Sequence, residues 1–180
     1  MERHKVGGGK LFEKLIEKIS EALYNILMTN VILEAPSNYE IVSSRIADAP
    51  IEVVFKAWTD PVHLEKWWGP AGFTNTFKEF DLRPGGKWSF VMHGPDKGNY
   101  ENECVFIKIE KPFLIAWYRL SKPLFKVVAS FDEISSGRTK IIFKMLFENA
   151  EECAKIKAFA PQKNEENFDR LETELRKMII

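Results

Sequence analysis

Residues that could do chemistry are few in this chain and widely spaced. The histidines are His4, His63 and His93. They fall on a tail, a helix surface and a strand end, with no HxxxH or HExxH spacing to set two imidazoles on one helical face around a metal. No GxSxG elbow presents a serine, and Cys104 and Cys153 stand far apart outside any CxxC pair, so neither a catalytic-cysteine signature nor a zinc knuckle forms. Gly7-Gly8-Gly9-Lys10 has no strand before it and Leu11 where a phosphate loop needs Ser or Thr. Glu101 and Glu103, two apart on a strand, point to one side, the minimal condition for a carboxylate pair doing acid-base work. On an antiparallel strand with one wet face such alternation is more often the solvent side. Arg45, at the end of a strand, could hold an anionic ligand group, although a structural salt bridge is the preferred role. No cofactor and no metal are expected.

The sequence is richer in aromatic surface: Trp67, Trp68, Trp88, Phe90, Trp117, Tyr118, Phe131, Phe143 and Phe168. Alternation sets Trp88, Phe90 and Met92 on one face of a strand. Pockets for apolar ligands are lined in this way, with few polar groups to fix orientation. The same residues would serve equally to fill a core.

The elements that must position them can be read from period and turn chemistry. Tyr39 to Ile46 reads as a strand. Ala49-Pro50 and Asp60-Pro61 each open a short helix, because proline tolerates the first turn and the aspartate carboxylate accepts its free amide hydrogens. Strands follow at about Phe73 to Asp81, Lys87 to His93, Tyr100 to Ile109, Leu114 to Leu120, Leu124 to Ile134 and Thr139 to Phe147. Between them stand Pro84-Gly85-Gly86, Gly94-Pro95-Asp96-Lys97-Gly98, Glu110-Lys111-Pro112 and Ser135-Ser136-Gly137. Turns this short make neighbouring strands antiparallel. Two further helices are expected, Glu151 to Phe159 and Pro161 to about Met178, with an apolar stripe of Phe168, Leu171, Leu175, Met178 and Ile179 and with Pro161 breaking or kinking the run. The fold class is therefore α+β, a long helix against one curved antiparallel sheet.

Ahead of this domain, which is assigned to residues 37–180, residues 1–36 carry a flexible start and an amphipathic helix from Lys10 to about Met28. Its stripe of Leu11, Phe12, Leu15, Ile16, Ile19, Leu23, Ile26 and Leu27 must be covered, because each large apolar side chain left in water forfeits about 1.5–3 kcal/mol. Phe12, Leu15, Ile19, Ala22 and Ile26 approximate a short heptad seam, so a homodimer through this helix is preferred over docking on the domain. Lys+Arg and Asp+Glu each number 26 in the 180 residues, a neutral balance with no electrostatic footprint for nucleic acid. No apolar run is long enough for a membrane span. Free cysteines outside any framework suggest a reducing, cytoplasmic compartment.

Arg45 to Trp68, Gly69-Pro70, Asp81-Leu82-Arg83-Pro84-Gly85-Gly86-Lys87-Trp88-Ser89-Phe90 and Pro112-Phe113-Leu114-Ile115-Ala116-Trp117 together resemble the activator of Hsp-90 ATPase homologue-like family, within the START-like (SRPBCC), birch-pollen-allergen-like superfamily. The resemblance extends from Tyr39 to the C-terminus. It implies a helix-grip fold whose sheet wraps the C-terminal helix and leaves a cavity, toward which the face of Trp88, Phe90 and Met92 turns. It also implies that Arg45 matches an arginine common in the family. Three functions follow from the resemblance: holding a small hydrophobic ligand, contacting a chaperone, or acting as a cyclase- or aromatase-like enzyme. The first is preferred, since no polar constellation for catalysis can be assembled. The pocket candidates are Trp67, Trp68, Trp88, Phe90, Met92, Trp117, Phe131, Phe143, Phe168 and Arg45.

Overall fold

Residues 35–179 are described by a computed structural model. In chain order the elements are β1 (Glu40–Ala47), α1 (Ile51–Thr59), α2 (Pro61–Trp67), β2 (Thr74–Phe80), β3 (Lys87–His93), β4 (Asn99–Glu110), β5 (Leu114–Arg119), β6 (Phe125–Ser135), β7 (Arg138–Leu146), α3 (Ala150–Lys157) and α4 (Ala160–Met178). The expected helix from Lys10 and its dimer seam lie outside the described residues.

The strands form one antiparallel sheet in the order β1-β7-β6-β5-β4-β3-β2. Six of them follow one another as a meander, and β1 closes the far side against β7. The chain between β1 and β2 must therefore cross the whole sheet, six strand spacings or roughly 29 Å if it were flat. The two short helices α1 and α2 make that crossing. Register shifts at Phe77/Glu79 on β2, Phe106/Lys108 on β4 and Glu133/Ser135 on β6 bend the sheet. Its concave side takes up α4, and the architecture is the helix-grip fold that the family resemblance implied. Among the described residues no helix is long and apolar enough to cross a membrane.

Local chemistry accounts for the boundaries. Asp60 caps α2 by accepting from the Val62 amide at 3.0 Å, with Pro61 in the first turn. Asn149 caps α3 through the amides of Glu151 and Glu152. Lys157 ends α3 and Ala160 begins α4, so Pro161 does stop one helix and seat the next. In the turn before β3, Gly85 has φ +81° and a Cβ on Gly86 would run into the Asp81 carbonyl. Only glycine lets the turn fold that closely.

The helical layer is held down by charge as much as by apolar contact. Arg45, on the inner face of β1, donates to Glu165 at 2.7 Å, Asp169 at 3.0 Å and Glu172 at 2.7 Å, all on one side of α4, and lies over the Phe168 ring at 5.6 Å. Arg170 points the other way. It donates to the carbonyls of Lys66, Trp68, Gly69 and Pro70 at 2.8, 3.3, 2.7 and 3.0 Å, at and just beyond the end of α2, where intrahelical donors run out. Hydrogen bonds to a charged donor contribute about 1.5–3 kcal/mol each, with losses less than additive. Arg170→Ala is expected to lower the unfolding free energy by about 2–4 kcal/mol in urea titrations. Arg170→Lys should recover only part, because an ammonium has three donors on one atom and lacks the guanidinium's reach across four carbonyls.

Glu174 is buried on the same helix, 3% exposed, with His63 Nδ1 at 2.9 Å and the Lys66 and Lys177 ammoniums each at 3.4 Å. Burial alone would raise its pKa; the His63 hydrogen bond and the two lysines outweigh it and hold the carboxyl below its usual range. A depressed folded value contributes stability that is complete above the unfolded value, about 4.3, and is lost as pH falls through the folded one. Glu174→Gln should therefore flatten the acid limb of urea midpoint against pH between about pH 5 and pH 3. An unchanged slope would assign that limb to other carboxylates.

Candidate ligand cavity

Directly paired residues in an antiparallel sheet share a face, so the register lays out the concave surface. One row runs Trp88, Cys104, Arg119, Phe125 across β3 to β6. The next runs Phe106, Trp117, Val127, Met145 across β4 to β7. Phe90 faces Asn102 beside the first row. Over this surface lie Asn164 and Asn167 of α4 and the Trp68-Gly69-Pro70 segment that Arg170 holds. Asn75 adds a second grip, donating to the Trp68 carbonyl at 2.6 Å and the Glu65 carbonyl at 3.0 Å.

Between the two layers is a cavity of about 190 Å³. Trp68, Phe90, Met92, Trp117, Phe125, Val127, Phe143 and Met145 give it apolar walls; Asn102, Arg119, Lys163, Asn164 and Asn167 are its polar groups, with Cys104 on the sheet side. Among the described residues no carboxylate and no imidazole borders it, and no cluster of three His, Cys, Asp or Glu is placed to hold a metal. Burial pushes the Cys104 thiol up to about 12, against a smaller opposing effect from Arg119. The thiol is therefore neutral at physiological pH and no nucleophile. Asn164 donates to Ser43 Oγ at 3.1 Å, whereas Asn167 Oδ1 is buried with no partner among the described residues.

Five of the expected pocket residues reach the cavity: Trp68, Phe90, Met92, Trp117 and Phe143. The other five are drawn away from it by identifiable contacts. Trp67 donates its Nε1 to the Ala57 carbonyl at 2.8 Å. Trp88 is 1% exposed, stacked on Phe90 at 4.5 Å and enclosed by Phe77, Phe80 and Phe106. Phe131 packs under α1 against Phe55 and Trp58. Phe168 lies beneath Arg45, and Arg45 has its charge met by three acids of α4. Glu101 and Glu103 are exposed on the outer face, with Glu101 paired to Lys78 at 2.7 Å. Asn102, Cys104, Arg119, Phe125, Val127, Met145, Lys163, Asn164 and Asn167 were not anticipated. One signal was available: on β5 the alternation that turns Ile115 and Trp117 inward also turns Arg119 inward.

A family model described as Activator of Hsp90 ATPase homolog 1-like protein matches residues 48–176. The chain belongs to that family. The match spans both crossing helices, the meander and nearly all of α4, and with the fold it puts the chain in the START-like superfamily. Solved structures agree at the level of fold. A crystallised protein from Nitrosomonas europaea is 19% identical, with TM-score 0.73 over 81% of this chain and 99% of its own. A solution structure from Arthrobacter aurescens is 21% identical, with TM-score 0.73 over 82% and 92%. A family namesake from Silicibacter pomeroyi is 15% identical, with TM-score 0.64 over 77% and 99%. Among proteins of curated function, none matches this sequence.

The state of the two thiols is open to direct measurement. Cys104 and Cys153 are 3% and 1% exposed, and burial raises both pKa values. A thiol-disulfide reagent at pH 8 should titrate neither in the native family member and both after denaturation; prompt reaction of Cys104 in the native state would mean that the cavity opens to the reagent.

Proposed function

We propose that this domain binds a small, largely apolar molecule between the concave face of its sheet and α4. The reading is carried by one contrast. Around Trp58 the interior is filled, with Trp67, Phe131, Phe143, Trp68 and Trp117 rings at 4.8 to 6.5 Å from it. A few ångströms away the same aromatic surface borders a space of about 190 Å³. The space is partly open, with apolar walls and a few polar groups, the character of a small-molecule site. A cavity kept beside so many large side chains is thus best explained by an occupant.

Its size limits that occupant. Apolar cavities of roughly 150 Å³ admit benzene, and drug-sized ligands take about 300 Å³ or more. One or two fused rings fit, with a short polar group. No carboxylate and no imidazole borders the space among the described residues, which favours binding over acid-base chemistry as the reading of the site.

The test is to fill the cavity from the sheet side. Val127→Phe adds a ring in the row between Trp117 and Met145. In fluorescence and calorimetric titrations with one- and two-ring aromatics, binding to the full chain should fall by more than about tenfold in this variant, with the circular dichroism spectrum unchanged. Equal affinity for the filled and native proteins would place any binding elsewhere.

A further inference from the structure

Six arginines occur among the described residues, and five have evident electrostatic partners. Arg45 meets three carboxylates, Arg83 meets Asp81, Arg138 meets Asp48, Arg176 meets Glu172, and Arg170 meets four carbonyls. Arg119 differs. Its Nε donates to Ser121 Oγ at 3.2 Å and its guanidinium lies over the Phe125 ring at 5.4 Å. Neither Nη atom has a hydrogen-bond partner among the described residues, and no carboxylate there lies within 4.0 Å. It is nonetheless set on the concave face, between Cys104 and Phe125, and borders the cavity.

Resting on the reading of the cavity as a ligand site, we propose that its ligand is a small aryl carboxylate, with the carboxylate on the open fork of Arg119 and the ring against Trp117, Phe90 and Val127. The planar guanidinium has four N–H donors left on its two Nη atoms, the arrangement that takes a carboxylate through two parallel hydrogen bonds. Trp117 and Arg119 are two residues apart on β5, about 6.6 Å along the strand, so an acid group at the arginine leaves its ring beside the tryptophan. Across the cavity α4 offers amides in place of acids. Asn167, whose oxygen has no partner, can present oxygen or nitrogen once its amide is turned. Asn102, 6% exposed, spends one N–H on the Tyr100 carbonyl at 2.9 Å and keeps the other. The remaining cation at the border, Lys163, is held by Glu166 at 2.8 Å. A single free guanidinium balances the one charge of a carboxylate and falls short of a phosphate dianion. Burial lowers the Arg119 pKa without neutralising it.

Matched ligands test the headgroup apart from the cavity. 2-Naphthoate and 2-naphthamide, equal in ring and nearly equal in volume, are titrated into the full chain and into Arg119→Gln and Arg119→Lys at pH 7.5 by calorimetry, with thermal melts confirming folding. The native protein should bind the acid at least tenfold more tightly than the amide. Arg119→Gln should abolish that preference while changing amide affinity by less than threefold, and Arg119→Lys should keep part of it. Equal binding of acid and amide by the native protein, or an equal loss of both in Arg119→Gln, overturns the carboxylate assignment and leaves the cavity reading standing. Binding of neither compound overturns both.

Discussion

Arg170 joins the parts of the molecule that the chain makes separately. It stands on the last helix and grips four carbonyls where the second helix ends. Unpaired carbonyls occur at every helix end, and here they and the two that follow lie part-buried to exposed beside α4. One guanidinium meets all four, which ties α4 to the crossing connection. The position of Trp68 follows, because its carbonyl is held by Arg170 and Asn75 together. With Trp68 set, one wall of the cavity is set.

The cavity is then a boundary in the packing. Trp58 and Trp67 meet at 4.8 Å and Trp88 and Phe90 at 4.5 Å, so the aromatic core is dense on two sides of the space. Phe143 and Trp117 belong to both regions, one edge against other rings and one against the cavity. A close-packed surround of this kind does not collapse easily, since moving one ring means moving several. The space is kept by the rigidity of what encloses it.

The strands and helices were legible because their signals are local. A turn such as Pro84-Gly85-Gly86 carries its geometry in its own residues, and Asp60-Pro61 opens α2 with no help from the rest of the fold. The cavity was only half legible, for a physical reason. Trp88 and Phe90 share a face, as alternation required, yet Trp88 is enclosed by Phe77, Phe80 and Phe106 while Phe90 borders the space. Alternation gives direction. Whether a side chain that points inward meets atoms or a void depends on the summed volumes of three elements far apart in sequence. The polar members were hidden for the same reason: nothing near Asn167 in the chain shows that its amide will border the cavity.

Two inward-facing arginines show how α4 divides the sheet. The helix carries Glu165, Asp169 and Glu172 at steps of four and three, which sets them along one side, and that side lies over β1, where Arg45 takes all three. At the cavity the same helix presents Asn164 and Asn167. Neither brings a negative charge to the space that Arg119 borders. Burying a cation near amides and leaving its counter-charge to be supplied costs stability in the empty protein. A ligand that brings the missing charge recovers that cost on binding, whereas a neutral one of the same shape does not. On the proposed reading, discrimination would rest on the absence of an acid at this part of α4, and affinity on the apolar walls.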